Sequence, residues 1–410
     1  MSTSLLIPLN EQGTFTDTGL IQALADASAA APTISDVFLY SHGWWTNANA
    51  AMVDYDRFTA GLDRALGTDP ATQQLVRQNI GTFISAGVHW PSVLTEDATN
   101  PLNYLEAASY YTMRERADDV GSNGGYAILH SALGPKVTRA QLIGHSFGCR
   151  VVCSALAKFV ASAAGAPNTL PNVRFNVVLI EAAFDQDNLS PTGPYASLLT
   201  DPRVRILVTH SAKDWSLTSA YPIANLVFDV VNHPGFATAA RGLSDTLDAG
   251  VTAGQGPAEI ASQLADRFIH VNVASADAKP GLLGQLQSFL TSRLAAIKGD
   301  AQALGMDVLA QAATALGHDV AHALGADGPL PAIMTAAGTQ YANLTIGADW
   351  PMPPGPGVEP VATDLGKRLV VADLTPLHTS REPVAWPNRD HHSDINALEI
   401  YRLVAGFLWA

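Results

Sequence analysis

Up to about residue 230 the chain alternates short β-rich apolar runs with longer stretches of helical periodicity. The runs Leu5 to Leu9, Val37 to Tyr40, Thr82 to Val88, Ala140 to Ile143, Phe175 to Ile180 and Val204 to Thr209 predict strands. Ala50 to Leu66, Tyr104 to Gly121 and Phe147 to Ala164 predict helices between them. Such alternation with short connections implies an α/β protein: a mostly parallel central sheet flanked by helices.

Beyond residue 231 the pattern changes to Ala-, Leu- and Gly-rich helix. Leu282, Leu283, Leu286, Phe289, Leu290 and Leu294 fall at helical spacing, giving one apolar face suited to packing on a core or closing over a site. Pro351 to Pro360 reads as a linker, Arg368 to Asp373 as a last strand, and Asn396 to Leu408 as a closing helix. The organisation expected is therefore a core over 1–231, a helical insertion or cap over 232–345, and a return to the core over 346–410. No internal repeat is visible.

Composition narrows this picture. The 410 residues are 47% hydrophobic and only 15% charged, so the chain can bury a sizeable core and is not a disordered polyelectrolyte. Twenty-three Lys and Arg against 37 Asp and Glu leave a net charge of −14, which repels phosphate backbones and disfavours nucleic acid as a partner. The two cysteines, Cys149 and Cys153, lie one turn apart on a predicted helix and are poorly placed to bridge. With no signal-peptide pattern and no run of 18 apolar residues, a soluble cytoplasmic protein without stable membrane insertion is expected.

Chemistry enters at Gly144-His145-Ser146-Phe147-Gly148, a G-x-S-x-G pattern. The pattern is weak alone, but here it directly follows a predicted strand and opens a predicted helix, the strand-turn-helix setting that lifts a serine hydroxyl above a sheet. Ser146 is thus the candidate nucleophile. It needs a base, and the base needs an orienting carboxylate, which follow in the order Ser, acid, His. Asp214, after the strand ending at Thr209, is the preferred acid, with Asp185 after the preceding strand as its rival. His392, between the last strand and the last helix, is the preferred base, ahead of His391 and then His378.

An oxyanion requires two aimed backbone donors. The N–H of Phe147, next after the nucleophile, supplies one; the N–H of Trp44, in the loop Ser41-His42-Gly43-Trp44-Trp45, is the candidate for the other, with His42 ordering that loop. Trp44, Trp45 and Trp215 flank this chemistry and are candidate pocket-lining groups. His318 and His322 stand one helical turn apart but lack the Glu and third ligand of a zinc motif, so no metal or other cofactor is expected.

Together, Tyr40-Ser41-His42-Gly43, Val88-His89-Trp90-Pro91-Ser92 and Gly144-His145-Ser146-Phe147-Gly148-Cys149-Arg150 resemble the α/β-hydrolase superfamily. The resemblance is to a bacterial branch of serine hydrolases in which an His-Gly loop, a Trp-Pro-Ser turn and an His-Ser-x-Gly elbow recur in this order. It covers roughly residues 1–230 and 365–410. The resemblance implies a Ser146, Asp214 and His392 triad, with Trp90 and Ser92 bordering the site or serving as a structural turn. The expected activity is hydrolysis of a small-molecule or lipid-like carboxylic ester through an acyl-enzyme. An amidase or acyltransferase on the same triad, or a non-catalytic binding protein of this fold, is the alternative.

Overall fold

A computed structural model of the protein describes residues 4–30, 34–68, 82–93, 110–166, 169–211, 214, 217, 358–360, 368–375, 377 and 395–409. The chain divides into two compact units, one of Met1–Ser92, Arg116–Thr218 and Asn343–Ala410, the other of Val93–Glu115 and Ser219–Ala342. The described residues belong almost wholly to the first. The amphipathic segment from Leu282 to Leu294 and the whole expected 232–345 insertion lie outside them.

Among the described residues, eight strands form one sheet: β1 (Ser4–Pro8), β2 (Ile34–Ser41), β3 (Thr82–His89), β4 (Arg139–His145), β5 (Arg174–Ile180), β6 (Val204–His210), β7 (Val358–Pro360) and β8 (Leu369–Asp373). Their order is β1-β3-β2-β4-β5-β6-β8-β7, and every pairing is parallel. Strands buried on both faces lose their polar alternation, which is why β5 and β6 read as nearly unbroken apolar runs. β7 corrects the linker reading of Pro351 to Pro360: its last three residues pair with β8 at the sheet edge, where a proline costs no inner ladder bond.

Helices cover both faces. On one, α2 (Ala48–Thr68) packs with the closing helix α7 (Leu398–Trp409). Asn47 starts α2 by accepting the Ala50 N–H at 2.9 Å, an N-cap. Tyr55, Phe58 and Leu62 of α2 meet Tyr401, Val404 and Phe407 of α7 over Phe38, Tyr40, Val178 and Leu207 of the sheet. Burial pushes the Tyr401 hydroxyl up to about 12, so it stays protonated, and it donates a hydrogen bond to Asn396 Oδ1 at 2.6 Å.

On the other face lie α1 (Thr18–Ala30), α3 (Tyr110–Val120), α4 (Tyr126–Ala132) and α5 (Gly148–Ala161). Between α3 and α4 the backbone continues through a π-helical turn, Gly121–Gly125, rather than ending at Gly121 as the sequence suggests. Gly121 and Gly125 are buried against α5 and Gly124 against Leu9 and Gly13, so packing overrides poor helix propensity. A short helix α6 (Ala196–Thr200) precedes β6. Among the described residues no helix is long and apolar enough to cross a membrane.

One polar row interrupts the apolar face beneath α7. Arg139 donates to both oxygens of buried Asp36, at 2.6 and 2.8 Å. Gln141 Nε2 donates to Asp36 Oδ1 at 3.1 Å, and Gln141 Oε1 accepts from Asn176 Nδ2 at 2.9 Å. Asn176 Nδ2 also donates to the Leu408 carbonyl at 3.2 Å, and Arg205 reaches Asn176 Oδ1 at 3.4 Å while its guanidinium lies over the Phe407 ring. Gln141, Asn176 and Arg205 are register partners on β4, β5 and β6, so with Asp36 of β2 the row crosses four adjacent strands and ties them to α7. Asn176→Leu leaves the Gln141 and Leu408 acceptors buried without this donor. It is expected to lower stability by about 2 kcal/mol or more, read as a shift in the urea midpoint at constant m.

Candidate active site

The chain leaves β2 toward β3 on one side of the sheet and leaves β4 toward β5 on the other. Adjacent strands with diverging connections leave a crevice at their C-terminal ends, where ligands collect in open α/β sheets. The loops flanking that crevice here are residues 42–46 after β2 and 146–147 after β4.

Ser146 occupies the turn between β4 and α5 with φ 55°, a left-handed conformation that costs a non-glycine residue about 1–2 kcal/mol. Several bonds hold it there. Its N–H donates to the Ile180 carbonyl at 3.1 Å, and its own carbonyl accepts from Cys149 at 3.1 Å and Ala183 at 3.3 Å. The side chain is 7% exposed and stands at the amino end of α5, where the helix dipole is positive.

Two close backbone approaches seat the β2 loop on this turn. A Cβ on Gly148 would lie 2.2 Å from the Ser41 carbonyl oxygen and 2.4 Å from that of His42. A Cβ on Gly43 would lie 2.9 Å from Ser146 Cβ. Only glycine permits either approach. Trp44 follows, half-buried, with its ring 5.7 Å from that of Phe147. Trp45, at φ 66°, is 37% exposed.

The Trp90-Pro91-Ser92 turn clamps the same loop from its far side. Ser92 Oγ accepts from the Thr46 N–H at 3.1 Å and donates to the Thr46 carbonyl at 2.9 Å, while the Ser92 carbonyl accepts from Trp45 N–H at 2.9 Å. Trp90 donates its indole N–H to the His42 carbonyl at 3.1 Å. Buried Arg116 in turn holds the Pro91 carbonyl at 2.8 Å. Trp90 and Ser92, which in the resemblance border the site or build its turn, are both 0% exposed and bonded to the loop.

Asp214 is fully buried in the turn after β6, its N–H donating to Ser211 at 3.2 Å and its Oδ1 accepting from Leu217 N–H at 3.0 Å. Its rival Asp185 is half-buried after β5. Sequence reasoning passed over Glu181, which stands at the end of β5, 0% exposed and at φ 45°. The signal was present as a lone acid closing the apolar run Val177 to Ile180. Thr209 Oγ1 accepts its N–H at 3.1 Å. The three strand ends β4, β5 and β6 thus carry Ser146, Glu181 and Asp214 on one edge of the sheet.

Trp215, His378, His391 and His392 lie outside the described residues, as do His318 and His322. Cys149 and Cys153 are free and buried, and burial raises both thiols, which keeps them protonated and unreactive. Among the described residues no group of three His, Cys, Asp or Glu is placed to hold a metal ion. Behind the turn, Arg150 of α5 pairs with Asp118 of α3, whose Oδ1 also accepts from Tyr195 at 2.6 Å and Ser154 at 2.9 Å.

Compared with protein-family models, curated proteins and solved structures, the chain matches none.

Gly148→Ala must push the β2 loop off the turn and is expected to cost about 2–3 kcal/mol in chemical denaturation. Ser146→Gly relieves the left-handed strain that Ser146→Ala retains. The glycine variant is expected to melt higher than the alanine variant, by about 0.5–1 kcal/mol in equivalent stability.

Proposed function

We propose that the protein is a serine carboxyl-ester hydrolase of the α/β-hydrolase type. The observation that carries this reading is Ser146, held in a left-handed turn between a parallel strand and a helix amino end, with a glycine of the neighbouring loop against it. Strain of this kind persists where the surroundings over-determine it, and it clusters at reactive sites. The strand order agrees with the reading, since the loops of a β2 and β4 crevice are where an acyl group would enter.

In the proposed reaction Ser146 Oγ attacks the ester carbonyl as His392 accepts its proton. Asp214 orients the imidazole, and the N–H groups of Phe147 and Trp44 stabilise the oxyanion. His392 then returns the proton to the departing alcohol, and water repeats the sequence to release the acid. The buried Asp214, which accepts the Leu217 N–H, suits the acid's role because it keeps a fixed orientation. Trp44 and Trp45 offer aromatic surface at the mouth of the crevice, which favours apolar acyl groups.

A fluorophosphonate is expected to label Ser146, located by peptide mass, and p-nitrophenyl esters of rising chain length to be hydrolysed. Ser146→Ala is expected to abolish labelling and to lower kcat by about 10⁴-fold or more. Wild-type protein that neither labels nor turns over any ester of the series would sink the reading.

A further inference from the structure

His42 directly precedes the glycine that touches Ser146, and its ring contacts admit only one protonation state. Nδ1 lies 2.8 Å from the Gly43 carbonyl oxygen, which can only accept, so Nδ1 carries the proton. Nε2 lies 3.3 Å from the backbone N–H of Trp90, which can only donate, so Nε2 presents its lone pair. The imidazole is therefore neutral. His89 Nδ1 stands 3.3 Å from the same Nε2 and must also donate, which fixes the proton on that nitrogen of His89. Two donors share one lone pair, and both contacts are correspondingly long. The His42 ring is 2% exposed and stacked on the Trp90 indole, 7° between planes and 5.6 Å between centroids.

With both nitrogens engaged, His42 has no ring position to act as a base for Ser146. Its effect falls on a peptide plane. The Gly43 carbonyl and the Trp44 N–H belong to one planar amide and point in opposite directions when it is trans, so a bond that fixes the first also fixes the second. We propose that His42, held in this tautomer by His89 and Trp90, is a positioning residue that locks the Gly43–Trp44 amide with its N–H aimed at the oxyanion of Ser146. The proposal rests on the hydrolase reading above. It assigns a task to His89, which ends β3 and makes no contact with a substrate in that mechanism.

The brace predicts a loss confined to the transition state. With a p-nitrophenyl ester, His42→Ala is expected to lower kcat roughly 10- to 100-fold while KM changes less than about twofold. Affinity for a trifluoromethyl ketone, which forms the tetrahedral adduct, should fall by the same factor as kcat. His42→Asn, whose amide N–H can reach the Gly43 carbonyl, is expected to recover most of both losses. His89→Ala should show a smaller loss of the same kind. Independently of activity, ¹⁵N NMR of the wild-type protein should find His42 neutral with the proton on Nδ1. Should His42→Ala fail to fold, the asparagine variant and the tautomer measurement still decide. An Nε2-protonated His42, an unchanged kcat in a folded His42→Ala, or equal losses in kcat and in ester affinity would each overturn the brace while leaving labelling at Ser146 intact. Wild-type protein that is not labelled at Ser146 overturns the hydrolase reading itself, and the brace with it.

Discussion

The site depends on one steric constraint: the amino end of α5 must approach the end of β2 more closely than any side chain allows. Gly148 meets the carbonyls of Ser41 and His42 where a Cβ would overlap them, and Gly43 meets Ser146 in the same way. This contact turns two neighbouring strand ends into a single surface. Without it, Ser146 would sit on its own loop, and the Trp44 amide on another, with nothing to set their separation. Because the contact is between backbones, it transmits position with little play, and rigid placement is what stabilising charge in a transition state requires.

Such a contact is only as reliable as the register of the strands that bring it together. β2 pairs with β4 from Asp36 opposite Arg139 to Ser41 opposite Gly144, so the buried ion pair at one end and the elbow at the other are separated by one continuous ladder. A slip of one residue would invert every side chain and put the Asp36, Gln141 and Asn176 row on the wrong face. The row is polar where apolar residues would pack as well, which makes it an unforgiving register mark: correctly paired it is satisfied, and shifted it leaves charges buried. The Asp118 cluster performs the matching task for α5, fixing the helix whose first residue makes the close approach.

Much of this was legible in the sequence, for definable reasons. Inner strands of a covered sheet read as mainly apolar β-rich runs, and all six of the early strands were visible as such runs, within three residues at their ends. The elbow was legible because its glycines and its strand-turn-helix setting coincide. Helix α1 was not, since Thr18–Ala30 is rich in alanine and small polar residues and carries little apolar periodicity; Asp17, which accepts the Gly19 N–H, was its one start signal. The role of Trp90 was not legible, because an aromatic residue near a candidate nucleophile suits substrate and support equally well. Only the hydrogen bonds from its indole and backbone N–H to His42 separate the two.

The burial of Trp90 and Ser92 bears on where selectivity can reside in the proposed hydrolase. A tryptophan that stacks beneath the loop and a serine that bonds both sides of Thr46 leave the crevice floor invariant to substrate, since neither has surface to offer. In the proposed hydrolase, contact with an acyl chain would then fall to the residues on the upper side of the same loop, half-buried Trp44 and exposed Trp45. Trp45 is itself held at positive φ, an unfavourable choice for a bulky aromatic residue, and its N–H is spent on the Ser92 carbonyl. The clamp thus fixes the backbone of Trp45 while leaving its ring outward. An aromatic group held this way can meet apolar surface without loss of loop order, because the entropy of fixing its backbone has already been met by the turn below.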